Sequence, residues 1–597
     1  MSASLVGLLQ ADAAPLPTLP PALTRTLFGG GALGSAPGYD LLTDGPLICA
    51  ARGQAELPGI DAAGGQAAGW LAAWRRHAEG AADGARGRFA VAIIDTRAAS
   101  VWLAVDRFAT WPLCHAADAH HFAFSDRADA VPGEARALDP QAIFDYLFFH
   151  VIPAPRTVFD GVARLPAGHC AHWHDGRLNV RRWWMPRFEE PATDDFAARR
   201  AEFLGLVEQS VAHAAQGAEC GAFLSGGTDS STVSGMLCKV LGKPARTWSM
   251  GFDAEGYDEM AYARIAARHF GTEHHEYYVT PDDLLDGIPR VATHYDQPFG
   301  NSSAVPAWIC ARRAREAGVQ RLLAGDGGDE LFGGNTRYAR QRIFGLYEHL
   351  PAALRGGVLE PLLGGPLGRL PLARKGASYV EQARVPLPDR LQRYNLLLRL
   401  GTREVFEADF LARVDTDAPF ARQREVWAHS AGAAQINRLL AYDWVFTLAD
   451  NDLPKVVGTT ALAGLEVAFP LLSDDLVDFS LRLPPSWKLK GLNLRWFFKE
   501  ALRGFLPDEI LAKKKHGFGL PFGVWACRHD GLRRLAADAL GTLAGRGIVR
   551  PAFIDELLAR HLPAHPGYYG EMVWILTMLE LWLRAHPGAA LPGHPAP

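Results

Sequence analysis

The chain predicts an α/β protein of two unlike parts: an N-terminal layered α+β domain, then a doubly wound parallel sheet with helical additions. Three observations predict this. At 597 residues the chain is too long for one hydrophobic core. Up to about residue 190, short strand-like runs are separated by Gly, Pro and Asp turns. From about residue 220, strands alternate with helices, the pattern of a parallel sheet whose ligands lie beyond the carboxyl ends of its strands.

Composition narrows the function classes. With 48% hydrophobic and 21% charged residues and a net charge of -4, the chain reads as a soluble globular protein. No sustained basic run is present to bind nucleic acid; Lys513-Lys514-Lys515 is the one compact cluster. The first basic residue is Arg25, so no charged signal-peptide region opens the chain, and no apolar stretch is long enough to cross a bilayer. Seven scattered cysteines, never in a CxxC arrangement, fit reduced thiols in a cytoplasm. The expectation is a cytoplasmic protein with neither nucleic-acid nor membrane partners.

In the first part the strand runs are Leu47–Ala50, Phe89–Asp95, Val101–Val105 and His121–Ser125, with a helical pattern around Trp70–Glu79. Arg181–Pro186 and the acidic Glu189–Asp195 read as a linker, dividing the chain into domains 1–190 and 196–597. A helix Phe196–Ala215 then leads into a buried strand, Gly221–Leu224. The next stretch, Ser225-Gly-Gly-Thr-Asp-Ser-Ser231 before a helix Thr232–Leu241, is the anatomy of a phosphate cradle. Gly226 and Gly227 let backbone N–H groups point inward, and the helix N-terminus adds positive potential. Ser225, Ser230 and Ser231 offer hydroxyls, and Asp229 can hold magnesium against phosphates. No lysine closes the loop, so it is not a Walker A motif.

Further on, Arg246–Phe252 and His274–Val279 read as strands around a helix Asp258–Phe270. His274 and His275 point to opposite strand faces, which speaks against a shared metal. In Leu322-Leu-Ala-Gly-Asp-Gly-Gly-Asp-Glu-Leu-Phe-Gly-Gly334 a buried strand runs into a glycine-rich turn holding Asp326, Asp329 and Glu330, magnesium ligands by position. Residues from Tyr338 to about Ala431 read as helical and arginine-rich, and Trp574–Arg584 as an amphipathic closing helix.

The Ser-Gly-Gly-Thr-Asp-Ser cluster resembles the PP-loop of ATP pyrophosphatases, which split ATP between its α and β phosphates. Gly87–Asp95, Leu103–Arg107 and Trp111–Leu113 resemble the Ntn-hydrolase-like glutaminase domain of asparagine synthetases. Ser249–Phe252, Gly271–Glu276, Tyr295–Gly300, Ser302–Pro306, Leu322–Gly334, Asp452–Pro454, Gly464–Leu472, Leu506–Ile510 and Lys513–Phe518 resemble the synthetase domain of the same family. The resemblance implies ATP and Mg²⁺, with adenine near Met250 and Leu224, and Ala324-Gly325 bordering the AMP. It implies that Asp229 and Asp329 share the magnesium. Asp326 takes the place of the family's glutamate beside the acyl-adenylate. Lys515, two residues before Gly517, takes that of the catalytic lysine, which neutralises charge on the α-phosphate and the tetrahedral oxyanion.

Two departures bear on the reaction. Residue 2 is Ser2 where the glutaminase nucleophile is a cysteine, and Cys49–Gln54 stands where the family has an Asn-Gly segment. The first domain is therefore expected to be catalytically silent, and the amine to arrive with the substrate. β-Lactam synthetases have that logic, but a tyrosine stands at their equivalent of Asp326. The chain is then most similar to lasso peptide macrolactam cyclases, which adenylate an Asp or Glu side chain of a precursor peptide. The peptide's own N-terminal amine, titrating near pH 8, closes the ring. That resemblance implies a precursor peptide substrate and a leader-peptide-binding protein or leader peptidase as partner. An ammonia-dependent asparagine synthetase, another glutaminase-independent amide ligase such as a β-lactam synthetase, and a scaffold with a dead site are the alternatives.

Overall fold

The computed structural model describes residues 3–10, 22–61, 64–133, 137–348, 351, 354–355, 374–513 and 519–591. Ser2, Lys514, Lys515 and the Gly517 that fixes the lysine spacing lie outside them.

Two six-stranded antiparallel sheets build the N-terminal part. One runs in the order Ala163–Arg164, Cys114–Ala117, His121–Ser125, Leu5–Gln10, Gly31–Ser35, Thr24–Phe28; the other Arg177–Arg182, His169–His174, Ser100–Val105, Arg86–Asp95, Leu47–Glu56, Tyr39–Asp44. Leu5, Leu9 and Phe124 of the first meet Ile48, Ala92 and Leu103 of the second in one core. The other face of the second sheet, with Cys49, Val91 and Trp102, is covered by Trp70 and Leu71 of the helix Gln66–His77. Both faces of these strands are buried, which is why they read as continuous apolar runs and not as alternating ones. The strand Leu47–Glu56 is longer than its apolar run because Arg52–Glu56 keep pairing with Arg86–Ala90.

The motif Leu103–Arg107 has a structural role. Asp106 is buried and accepts hydrogen bonds from the backbone N–H groups of Phe89, Phe108 and Thr110. Arg107 reaches across to Asp474 at 2.9 Å and Asp478 at 2.8 Å, on the helix Asp474–Leu481 of the C-terminal part.

That part is built on a five-stranded parallel sheet in the order Glu273–Val279, Arg246–Phe252, Cys220–Phe223, Arg321–Leu323, Glu466–Ala468. Strand order reverses between Cys220–Phe223 and Arg321–Leu323, and at such a switch point the crevice beyond the strand tips is open to ligand. The residues after these two strands are the two glycine-rich motifs. His274 Nδ1 lies 3.0 Å from Thr247 Oγ1, while His275 stacks on Trp248 at 4.9 Å, so the histidine pair serves the sheet.

The segment after residue 182 is docked: Trp184 stacks on Trp444, and Glu190 accepts hydrogen bonds from the Ala434 N–H and Asn437 Nδ2, both at 2.7 Å. The closing helix runs Pro566–Ala585, and Met572–Glu580 are buried without a break. It is therefore a core helix and not an amphipathic one. Its Glu580 is fully buried and held by Arg546 and Arg584. The N-terminal helix Pro140–Phe149 packs into the same core, with Tyr146 Oη donating to the Ile575 carbonyl at 2.9 Å. No described helix is long and apolar enough to cross a membrane.

Candidate active site

The helix of the first glycine-rich motif begins at Thr228, four residues before the apolar pattern indicates. Thr, Asp and Ser are poor helix formers in mid-helix but favourable in a first turn, where Asp229 complements the helix dipole. Gly227 precedes the helix with no side-chain cap, which leaves the first N–H groups as donors for an anion. Gly226 has a φ of 70°, and a Cβ there would lie 2.4 Å from the Ala263 nitrogen; only glycine lets the loop lie against the helix Met260–Phe270. The Ser225 N–H and hydroxyl both meet Ser230 Oγ, at 3.1 and 3.0 Å. Ser231 Oγ is buried with no hydrogen-bond partner.

The second motif closes on the first. A Cβ on Gly325 would lie 2.7 Å from the Ser230 nitrogen, and one on Gly328 would strike the Asp229 carboxylate. Ala324 is buried and donates its N–H to the Ala468 carbonyl at 2.9 Å.

Between these motifs and the following helices lies a cleft of about 840 Å³, lined by Leu224, Ser225, Met250, Glu259, Asp326 and Lys455 among others. Its walls are mostly apolar, with a few charged groups among them, as nucleotide pockets are. Gly226, Gly227, Asp229, Ser230, Ser231, Ala324, Gly325 and Asp329 belong to the two turns around it.

Two cations that carry no motif of their own organise the carboxylates. Arg495 is buried and spans both expected magnesium ligands: its Nη1 lies 2.9 Å from Asp229 Oδ2 and 2.8 Å from Asp329 Oδ1, and its Nη2 contacts Asp229 Oδ1. Burial works against the Arg495 charge, but Asp229 and Asp329 outweigh it and hold the guanidinium above the ordinary arginine range. Lys455 Nζ lies 2.9 Å from Asp452 and 3.9 Å from Asp326. It too stays protonated, burial being outweighed by the same two carboxylates. Burial raises the Asp326 carboxyl to about 6, against the pull of Lys455.

Lys513 ends at the loop, its Nζ 3.1 Å from Glu259 and 3.4 Å from the Gly226 carbonyl. Lys455 was within reach of the sequence, one residue past Asp452-Leu-Pro454. Arg495, in the unremarkable Gly491–Trp496, carried no local signal.

The donors fit a magnesium nucleotide. Asp229 and Asp329 already converge on one cationic group. Magnesium keeps waters and phosphate oxygens and needs only one or two protein carboxylates. Among the described residues no cluster of three or more His, Cys, Asp or Glu is built to hold a metal by itself.

A family model described as asparagine synthase matches residues 202–584, and one described as a glutamine amidotransferase domain matches residues 68–184. Asparagine synthetase (glutamine-hydrolyzing) 1 of Bacillus subtilis (strain 168) is 26% identical over 520 residues, covering 86% of this chain and 79% of the relative. A Mycobacterium tuberculosis (strain ATCC 25618 / H37Rv) protein, provisionally named a glutamine-hydrolyzing asparagine synthetase, is 28% identical over 515 residues, or 83% and 76% of the two chains. Asparagine synthetase B of Escherichia coli (strain K12) is 28% identical over 269 residues, 42% of this chain and 44% of the relative. With the PP-loop cleft, its paired carboxylates and a family match over most of its length, the chain belongs to the asparagine synthase family, as an ATP-dependent carbon–nitrogen ligase.

Proposed function

We propose that the enzyme activates a side-chain carboxylate of a precursor peptide and lets the N-terminal amine of the same peptide attack it, closing a lasso peptide macrolactam ring. The carboxylate oxygen attacks the α-phosphorus of ATP and pyrophosphate leaves. The amine nitrogen then attacks the acyl carbon, AMP leaves with the C–O bond electrons, and the nitrogen gives up its proton.

The observation that carries this reading is the state of the N-terminal domain's cysteines. Cys49, Cys114 and Cys170 are all buried, and burial pushes each thiol up, away from the thiolate that attacks glutamine. Ammonia from glutamine then has no source among them, which leaves free ammonia or an amine carried by the substrate, and the reading takes the second.

In the cleft, Asp326 is poised to take the amine's proton, its carboxyl at about 6 being a modest base at neutral pH. Lys455 holds positive charge beside it. Leu224 and Met250 receive the adenine, and the PP-loop N–H and hydroxyl groups hold the phosphates. Magnesium on Asp229 and Asp329 would offset phosphate charge. Lys515 is proposed to neutralise the oxyanion. The reading places the enzyme in the cytoplasm, in keeping with its seven free cysteines, alongside a leader-peptide-binding protein or leader peptidase.

An ammonia-dependent asparagine synthetase uses the same cleft and is the second reading; the names of the relatives favour asparagine as the product, with glutamine as their nitrogen donor. The deciding experiment incubates the enzyme with ATP, Mg²⁺ and a candidate precursor peptide and follows the peptide by mass spectrometry. Loss of one water together with loss of the free α-amine is expected. Asparagine made from free aspartate and ammonia contradicts the reading.

A further inference from the structure

A second cavity, opening on about 1050 Å³, borders the segment Trp444–Asp452, which runs on into the helix Leu453–Leu462 that lines the nucleotide cleft. That segment is wound as a π-helix, a rare conformation that gathers at functional sites. Asn451 lines the second cavity, and Lys455, four residues on, lines the first. Two hydrogen bonds link their linings. Asn301 Nδ2 donates to Asn451 Oδ1 at 2.7 Å, while Asn301 Oδ1 accepts from the N–H of Ser303, itself on the nucleotide cleft.

The cavity is more aromatic than a site for ammonia or aspartate requires. Its walls carry Phe148, Phe149, Tyr442, Phe446 and Tyr568, and the Tyr568 hydroxyl is buried with no hydrogen-bond partner. Beside these rings, the lining holds an arginine, a histidine and a glutamate. Arg337 is committed to Asp443 and to Thr447 Oγ1. Burial lowers His150 to about 4, so it is neutral. Glu571, 3.6 Å from His150 Nδ1, is left as the one uncompensated charge among these lining residues. A carboxylate in an aromatic chamber suits an ammonium, through a charge-assisted hydrogen bond and the ring faces.

We propose that this cavity is the acceptor site of the ligase and takes an organic ammonium, the amino-terminal segment of a peptide, gripped by Glu571 and the aromatic walls. The proposal rests on the reading that the amine arrives with the substrate. It adds where that amine is collected before it passes the Asn301–Asn451 pair toward the activated carboxylate.

The test is calorimetric titration of the full-length protein, without ATP, at about pH 7.5, where the α-amine is still largely protonated. Burial raises the Glu571 carboxyl to about 7, so at that pH it is mostly ionised. The probes are Gly-Phe amide and N-acetyl-Gly-Phe amide, and ATP binding serves as the control for folding. The free-amine probe is expected to bind and the acetylated one to bind at least roughly tenfold more weakly, the value of one charge-assisted hydrogen bond. Glu571→Gln is expected to lose a similar factor for the free amine while keeping ATP binding; Tyr568→Phe is expected to weaken the probe less. Equal binding of the two probes, no binding of either by protein that binds ATP, or an unchanged Glu571→Gln overturns the site. Failure of the ring-closing reading looks different. Asparagine formation with amine binding intact removes that reading and leaves the site, whereas ring closure with an unchanged peptide KM in Glu571→Gln removes only the site.

Discussion

At the scale of single residues, Asp326 makes the sharpest prediction. Burial raises its carboxyl to about 6, and only the ionised form accepts a proton from the amine. Turnover should therefore rise with pH through about 6, and Asp326→Asn should lose both the rise and most of the rate. A pyrophosphate-release profile over pH checks this; full turnover in the variant removes the assigned role. The sign for stability is opposite. The folded-state value lies above the unfolded one of about 3.9, so Asp326 binds its proton more tightly when folded, and that contribution is lost as pH rises through 6. Above that pH Asp326→Asn should melt no lower than the parent. Inactivity with undiminished stability then separates a chemical from a structural role.

Arg495 makes a second prediction. Removing one partner of a buried charge pair costs roughly 3–5 kcal/mol, because the two carboxylates are left facing each other. Arg495→Met should lower the melting temperature, and Mg²⁺ should raise it more in the variant than in the parent, by binding where the guanidinium was. Equal shifts in the two proteins would show that Asp229 and Asp329 do not share a metal site.

At the scale of elements, the strand–turn–helix of the PP-loop was legible because all its determinants are local: an apolar run, two glycines and a hydroxyl-rich first turn. Gly226→Ala should abolish ATP binding or misfold the loop, since it meets both a positive φ and the Ala263 backbone; equilibrium dialysis with ATP on soluble protein checks it. Arg495 was not legible, because its partner Asp229 lies 266 residues away and only folding brings them together. The parallel strands came out close to their expected spans, Arg246–Phe252 without change. The linker after residue 182 was legible as irregular chain, but its docking was not, because its partners are distant in sequence: Glu190 accepts hydrogen bonds from the Ala434 N–H and Asn437 Nδ2, and Trp184 packs against Trp444.

At the scale of the whole molecule, the fold class was legible from the alternation of elements, while the joint between the two parts was not. Phe144 and Tyr146 of the N-terminal helix share one core with Trp574, Ile575 and Trp582, a contact that no periodicity within either segment announces. Trp574 also donates its indole N–H to the Gly300 carbonyl at 2.9 Å. Truncating it should cost roughly 3–5 kcal/mol. Because the core is shared, Trp574→Ala should lower a single unfolding transition for both parts; two separated transitions, with the N-terminal one unmoved, would contradict a common core.

The same joint sets the proposed amine-collecting cavity beside the nucleotide cleft. The most direct test of that arrangement is pyrophosphate release from ATP and Mg²⁺ by the full-length enzyme, with free aspartate plus ammonia or with no substrate. An enzyme whose amine arrives on a peptide should release no more pyrophosphate with aspartate and ammonia than in the blank, from protein that binds ATP. Release driven by aspartate, with asparagine accumulating, would contradict it.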